Sequence, residues 1–281
     1  MKLLPWFLLA CLPLTALAQN STAVSDRLNN SPRHHEFVTV DQGARKIQCF
    51  IAYPEVKDKA MAILVVHEIF GLSDWVRAVA DQLAENGCIA IVPDLLSGMG
   101  PNGGGTSAYP GQDAVTRAVS TLPADQVHAD LDAVAAYVTK LPACNGNLAV
   151  AGFCWGGGTA FHYATQNKTL RAAFVFYGTP PAAADMAKIT CPVYGFYGEN
   201  DARVSATVPA ATADMKTAGK TYEPVIYAGA RHGFMRVGMA DNADALNKQA
   251  MLDAWKRWLS LLAKLTTPAA TTSASAPAAK T

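Results

Sequence analysis

The chain has 281 residues, of which 51% are hydrophobic and 16% charged, and its formal net charge is +1. That much apolar material excludes disorder over most of the length and suffices for one large core. No Lys/Arg cluster is longer than a dipeptide, so no nucleic-acid footprint is present and no nucleic-acid partner is expected.

The N-terminus reads as an export signal. Met1-Lys2 supply a positive start, residues 3–14 an apolar stretch, and Ala16-Leu17-Ala18 a small-x-small cleavage site. This reading places the mature N-terminus at Gln19 and the protein outside the cytoplasm, in the periplasm or secreted. Leu8-Leu9-Ala10-Cys11 competes as a lipoprotein box, but too short an apolar segment precedes Cys11. The stretch is also too short for a retained membrane span and carries Pro5 and Pro13. Its removal takes away Lys2 and no acid, leaving 22 basic side chains against 22 acidic ones. Solubility then rests on interspersed charges. Cys49, Cys88, Cys144, Cys154 and Cys191 remain, and an odd number in an oxidising compartment implies at least one free thiol. The absence of any C-x-x-C removes the thioredoxin-like and zinc-ribbon readings, and neither a metal nor a cofactor is expected. Cys49, Cys88 and Cys191 lie in or beside apolar runs, where cysteine acts as a small buried hydrophobe.

After a polar leader, residues 19–31, two β-rich runs at 35–40 and 45–53 flank a turn at Asp41-Gln42-Gly43, which predicts a hairpin. Residues 62–67 read as a buried strand. Val76, Val79, Ala80 and Leu83 then mark a helical face between an N-cap at Ser73 and a stop at Gly87. Residues 88–92 form the next strand. The glycine-rich loop at 95–111 is long enough to be a site cover or a mobile segment. Val127, Leu131, Val134 and Val138 mark another helix, and 148–153, 172–177, 193–197 and 222–227 further strands. Met251, Trp255, Trp258, Leu262 and Leu265 line a last amphipathic helix. Strands separated by helices predict an α/β fold with a mostly parallel sheet covered on both faces. Residues 266–281 are a low-complexity tail too poor in apolar surface to order itself. The remaining 32–265 read as one catalytic domain.

Gly152-Phe153-Cys154-Trp155-Gly156 fits the nucleophile elbow G-x-S-x-G with cysteine as the nucleophile, at a strand-to-helix junction. The glycines serve a sharp turn that side chains would obstruct. Asp201 follows a buried strand in Tyr197-Gly198-Glu199-Asn200-Asp201, and His232 follows the last strand in Arg231-His232-Gly233-Phe234. Nucleophile, acid, then histidine is the order that an α/β-hydrolase fold requires. Glu199 competes with Asp201 for the acid's role, but the acid is expected a few residues beyond its strand. His34, His35, His67, His128 and His162 read as surface or core residues. Attack by Cys154 on a carbonyl requires two backbone donors for the oxyanion, which the fold would draw from Trp155 and Ile69. Glu68 lies beside Ile69, where its carboxylate would reach the thiol.

Together with His67-Glu68-Ile69-Phe70-Gly71-Leu72, Pro93-Asp94-Leu95, Gly198-Glu199-Asn200-Asp201 and His232-Gly233-Phe234, the elbow resembles the dienelactone hydrolase family across about residues 35–265. The resemblance implies an α/β-hydrolase that cleaves a small-molecule ester or lactone through Cys154, His232 and Asp201. It also implies that Glu68 takes the thiol proton when substrate arrives and that Arg236 holds a substrate carboxylate. A second family arginine is missing, since Gly98 stands in its place. One arginine forms fewer charge-assisted hydrogen bonds than two, so specificity is expected to move from carboxylated lactones towards neutral acyl substrates unless Arg203 turns inward. Gly98-Met99-Gly100-Pro101-Asn102-Gly103 satisfies G-x-G-x-x-G, but Pro101 interrupts it and no helix pattern follows, so it is not a dinucleotide site. Two other readings compete: a non-catalytic binding protein on a hydrolase fold, with an unreactive Cys154, and a cysteine peptidase.

Overall fold

The computed structural model describes residues 22–266. Along them run α1 (Thr22–Asn30), β1 (His35–Gln42), β2 (Arg45–Ala52), β3 (Ala60–Val66), α2 (Asp74–Glu85) and β4 (Ile89–Pro93). Next come α3 (Gln112–Ser120), α4 (Ala124–Thr139), β5 (Cys144–Phe153), α5 (Trp155–Gln166), β6 (Leu170–Phe176) and α6 (Ala183–Met186). The chain ends with β7 (Val193–Gly198), α7 (Ala202–Ser205), α8 (Val208–Thr217), β8 (Tyr222–Tyr227), α9 (Phe234–Val237) and α10 (Ala245–Thr266). Residues 1–18, read from sequence as an export signal, the first leader residues and the tail from 267 lie outside the described residues.

The strands form one sheet in the order β1-β2-β4-β3-β5-β6-β7-β8. β1 and β2 are the antiparallel hairpin, β2 is antiparallel to β4, and every other pairing is parallel. Every residue of β3 and β4 is buried, as continuous apolar runs require when helices cover both faces of a sheet. Alternation divides β3 between two cores. Ala62, Leu64 and Val66 belong to the core that also holds Val127 and Leu131 of α4 and Phe161 of α5, whereas Ile63 and Val65 belong to the core that holds the buried face of α2 and the Trp255/Trp258 stripe of α10. The expected α/β-hydrolase architecture is therefore present. Strand order reverses between β3 and β5, and the crevice at their carboxyl ends is where ligands collect in open α/β sheets.

Two regions differ from the sequence reading. The polar leader contains α1, whose Val24 is fully buried in the α2/α10 core. Arg27 Nη1 (2.8 Å), Ser31 Oγ (2.5 Å), Arg33 Nε (2.7 Å) and His35 Nε2 (2.8 Å) all meet the buried carboxylate of Asp81 in α2. Burial alone would push this carboxyl up, but the bonds from Arg33, Ser31, Arg27 and His35 outweigh it and hold the group well below the usual carboxylate range. Val24 and Leu28 beside an ion cluster are too few apolar positions to set a hydrophobic period, so the helix was invisible to pattern.

The glycine-rich loop at 95–111 is braced from within. Asp94 Oδ1 accepts from Leu96 N (3.1 Å) and Thr106 Oγ1 (2.7 Å), and Oδ2 accepts from Thr106 N (2.7 Å). Thr106 Oγ1 in turn accepts from Leu72 N at 3.1 Å, so the loop supports the turn that follows β3. Among the described residues the five cysteines are all free, and no helix is long and apolar enough to cross a membrane.

Candidate active site

The sequence from Phe153 to Gly156 dictates a turn with no room for side chains. A Cβ on Gly152 would enter the Gly156 carbonyl, and one on Gly156 would enter the carbonyls of Val66 and His67. Between them Cys154 takes φ 57° and ψ −118°, a conformation that costs a non-glycine residue about 1–3 kcal/mol. The turn lifts the thiol above the carboxyl edge of the sheet at the start of α5. Cys154 is half-buried, whereas Cys49, Cys88, Cys144 and Cys191 are buried.

His232 reaches the same point from the loop after β8. Its Nε2 lies 3.0 Å from Cys154 Sγ, and its Nδ1 lies 2.5 Å from Asp201 Oδ2. The Nδ1–H donating to the 6%-exposed carboxylate leaves Nε2 free to accept the thiol proton. Asp201 also caps α7, accepting weakly from Val204 N at 3.4 Å. Glu199, the competing acid, accepts from Gly229 N at 2.8 Å and so holds a turn instead of the imidazole.

The backbone amides of Trp155 and Ile69 both point at the Cys154 sulfur. Both amides lie near enough to that sulfur to favour its ionised form. Burial and the Glu68 charge push the Cys154 thiol up to about 11, against a smaller pull from the two amides and Arg203. The resting thiol therefore keeps its proton.

Glu68 and Arg236 meet each other. Arg236 Nε donates to Glu68 Oε2 at 2.7 Å, and the guanidinium lies 4.7 Å over the Phe70 ring. Glu68 is 3% exposed and Arg236 12%, so the pair is close to fully desolvated. Burial raises the Glu68 carboxyl above its ordinary value, although Arg236 and His232 draw it down. The sequence reading set this carboxylate against the thiol, but its hydrogen bond goes to Arg236. Asp241, an acid close to Arg236 in the chain, accepts instead from Thr22 N (3.1 Å) and Oγ1 (3.0 Å).

A cleft of about 450 Å³ opens beside the thiol. Cys154, Ile69 and Trp155 line it, as does Arg203, which the sequence reading left between surface and site; Arg236 does not. Three further residues on its walls went unnoticed as site residues: Tyr177, His128 and His162. Tyr177 follows β6 at φ 40°, its ring centroid 5.1 Å from that of His232, and its buried hydroxyl has no protein partner. Its place at a carboxyl strand end was the available signal. His67 is core, as expected: fully buried, its Nδ1 2.7 Å from Glu68 O and its ring stacked on Trp155. Among the described residues no group of three His, Cys, Asp or Glu side chains is placed to hold a metal ion.

The dienelactone hydrolase family model matches residues 47–266. The chain belongs to the dienelactone hydrolase family. It is 32% identical over 223 residues to a protein of Methylorubrum extorquens assigned as a carboxymethylenebutenolidase, covering 75% of this chain and 74% of that one. A Salmonella typhimurium protein with the same assignment is 31% identical over 228 residues, covering 76% and 82%. Among solved structures, a Klebsiella pneumoniae protein described as a dienelactone hydrolase superposes with a TM-score of 0.72 at 28% identity. That alignment covers 83% of this chain and 99% of the other. This dienelactone hydrolase family member is accordingly a hydrolase, with the cleft at the edge of its sheet where the fold places its chemistry.

Proposed function

We propose that the protein hydrolyses a small carboxylic ester or lactone by acyl transfer to Cys154. The observation that carries this is the line of hydrogen-bonding atoms from Asp201 Oδ2 (2.5 Å) to His232 and from His232 Nε2 (3.0 Å) to Cys154 Sγ, with the Ile69 and Trp155 amides near that sulfur. His232 takes the thiol proton as sulfur bonds to the substrate carbonyl carbon, and the Ile69 and Trp155 amides receive the oxyanion. Collapse breaks the C–O bond, and His232 returns the proton to the leaving alkoxide. The thioester is then attacked by a water that His232 deprotonates, which releases the acid and restores the thiol. Asp201 stabilises the imidazolium without accepting its proton. Glu68 is a second base for the thiol once substrate draws Arg236 away.

The names of the relatives support an ester or lactone, as does chemistry: such substrates need less assistance to their leaving group than an amide does. Iodoacetamide is expected to label Cys154 ahead of the other four cysteines because its sulfur alone borders the cleft, with the rate rising as the thiol ionises in alkali. Peptide mapping after a brief exposure measures this, and a Cys154 that labels no faster than Cys88 would favour the non-catalytic binding protein. Parallel assays on p-nitrophenyl acetate and casein separate an esterase from a cysteine peptidase.

Export is part of the same proposal, supported by the positive start, apolar stretch and Ala16-Leu17-Ala18 box. Protein recovered from periplasm or medium is expected to have the intact mass of a chain beginning at Gln19. Retention of residues 1–18 would overturn export, and a diacylated Cys11 would establish the lipoprotein alternative.

A further inference from the structure

Beyond Cys154 the cleft continues to a wall that the acyl chemistry leaves unused. His128 of α4 and His162 of α5 both line it, with Leu122, Ala124 and Val127 supplying apolar surface around them. His128 is half-buried and His162 stands exposed at the mouth. Two imidazoles on one wall of a cleft that holds a nucleophile form a recognition surface distinct from the groups that act on the carbonyl.

The charges around them decide what that wall accepts. Asp125 and Asp132 lie near His128 on its own helix. From α5 it faces His162 and the Tyr163 ring, 6.4 Å between centroids, and Tyr163 donates its hydroxyl to Asp132 at 2.7 Å. His162 faces Asp185 of α6, which Lys188 pairs at 2.6 Å. Arg203 of α7 lines the same cleft as a permanent cation. Burial lowers both imidazoles from their ordinary value, and mutual repulsion lowers His128 further, against the nearby carboxylates. Both shifts favour the uncharged ring, which offers one donor and one acceptor. Such a pair suits a hydroxyl or carbonyl group. On acidification the rings gain charge, and the same wall attracts an anion.

We propose that His128 and His162 form a specificity subsite for the end of the substrate remote from the scissile carbonyl. It takes an uncharged polar group when the rings are neutral and an anionic group when they are protonated. The inference rests on the acyl-transfer reading of Cys154 and adds the substrate class to it: a short ester or lactone with a polar distal group whose preferred charge depends on pH.

The test compares kcat/KM for two esters of equal length, one ending in a hydroxyl and one in a sulfonate, from about pH 8 to about pH 5.5. The sulfonate stays ionised throughout, and any pH dependence of the acyl-transfer step itself enters both esters and cancels in their ratio. In the wild type the ratio of sulfonate to hydroxyl ester is expected to rise about fivefold as pH falls, as two partly solvated ion pairs allow. In the full-length His128→Gln/His162→Gln protein the ratio is expected to stay flat. His162 is exposed, so His162→Gln alone preserves the fold and is expected to show a smaller rise than the wild type. Equal slopes in wild type and His162→Gln, or no rise in the wild type, would overturn the subsite. Failure of the acyl reading appears separately, as wild-type turnover of both esters by Cys154→Ala.

Discussion

Cys154→Ala is expected to lower kcat for a short ester by at least about a thousandfold while the protein melts within a few degrees of the wild type. The activity loss follows from geometry. Only the Cys154 sulfur lies both 3.0 Å from His232 Nε2 and in front of the Ile69 and Trp155 amides. Alanine leaves those amides and the cleft in place, so residual rate enhancement comes from binding and oxyanion stabilisation alone. Stability is preserved because alanine adopts φ 57° with the same strain as cysteine, and the half-buried sulfur contributes little packing. Residues that act as a unit lose activity non-additively. Cys154→Ala/His232→Gln is therefore expected to be no slower than Cys154→Ala, with Asp201→Asn also severely impaired. Steady-state rates on p-nitrophenyl acetate and a thermal melt of each variant measure this. Wild-type turnover by Cys154→Ala would end the acyl-enzyme mechanism, and fully additive losses would show that the groups do not work together.

The second large effect concerns stability. Arg236→Met is expected to destabilise the fold by about 3 kcal/mol at alkaline pH, because it leaves the 3%-exposed Glu68 carboxylate buried without its partner. The pH dependence has a definite sign. Burial already raises Glu68 above its ordinary value, with Arg236 opposing. Without the arginine, the carboxyl of the folded protein titrates higher still, whereas in the unfolded chain it stays near ~4.3. Between those two values the folded state binds a proton that the unfolded state has released. Stability of the variant then falls as pH rises through that interval, and the loss shrinks on returning towards about pH 5. Adding Glu68→Gln is expected to restore most of the alkaline loss, since it removes the stranded charge. Urea unfolding of wild type, single and double variants at two pH values checks this. A loss of equal size at both pH values, or no rescue by the second substitution, would contradict the account.

The differences between sequence reading and structure follow from the range of each interaction. Cys154, Asp201 and His232 could be placed because each follows a strand, and strands of this sheet announce themselves as apolar runs such as residues 60–66 and 89–93. A carboxyl strand end in a parallel sheet always faces the crevice, so position along the chain translates into position in space. The Ile69 and Trp155 amides followed for the same reason. Glu68 was read as a partner of the thiol, but its bond to Arg236 crosses 168 positions of chain. Arg236 was likewise assigned to substrate, whereas the desolvated carboxylate beside it holds the guanidinium.

His128 and His162 show the limit from the other direction. His128 falls on a helix whose period identifies the buried stripe Val127, Leu131, Val134 and Val138, and nothing in that period distinguishes a residue flanking the stripe from one facing solvent; His162 lies on the helix after the nucleophile turn, for which no such stripe was read. Only the packing of α4 and α5 beside the nucleophile turn makes their flanks the wall of the cleft. The same holds for α1 and the segment that leads from it into β1, where the roles of Arg27, Arg33 and His35 show only once α2 presents Asp81 beneath them. By itself the sequence determined the fold class, the succession of the eight strands, and the three residues that meet at the thiol, because burial and strand ends are local signals. The tertiary structure alone decided which charges pair, which thiol is accessible and which side chains line the cleft. Those depend on distances between segments far apart in the chain, which no local pattern records.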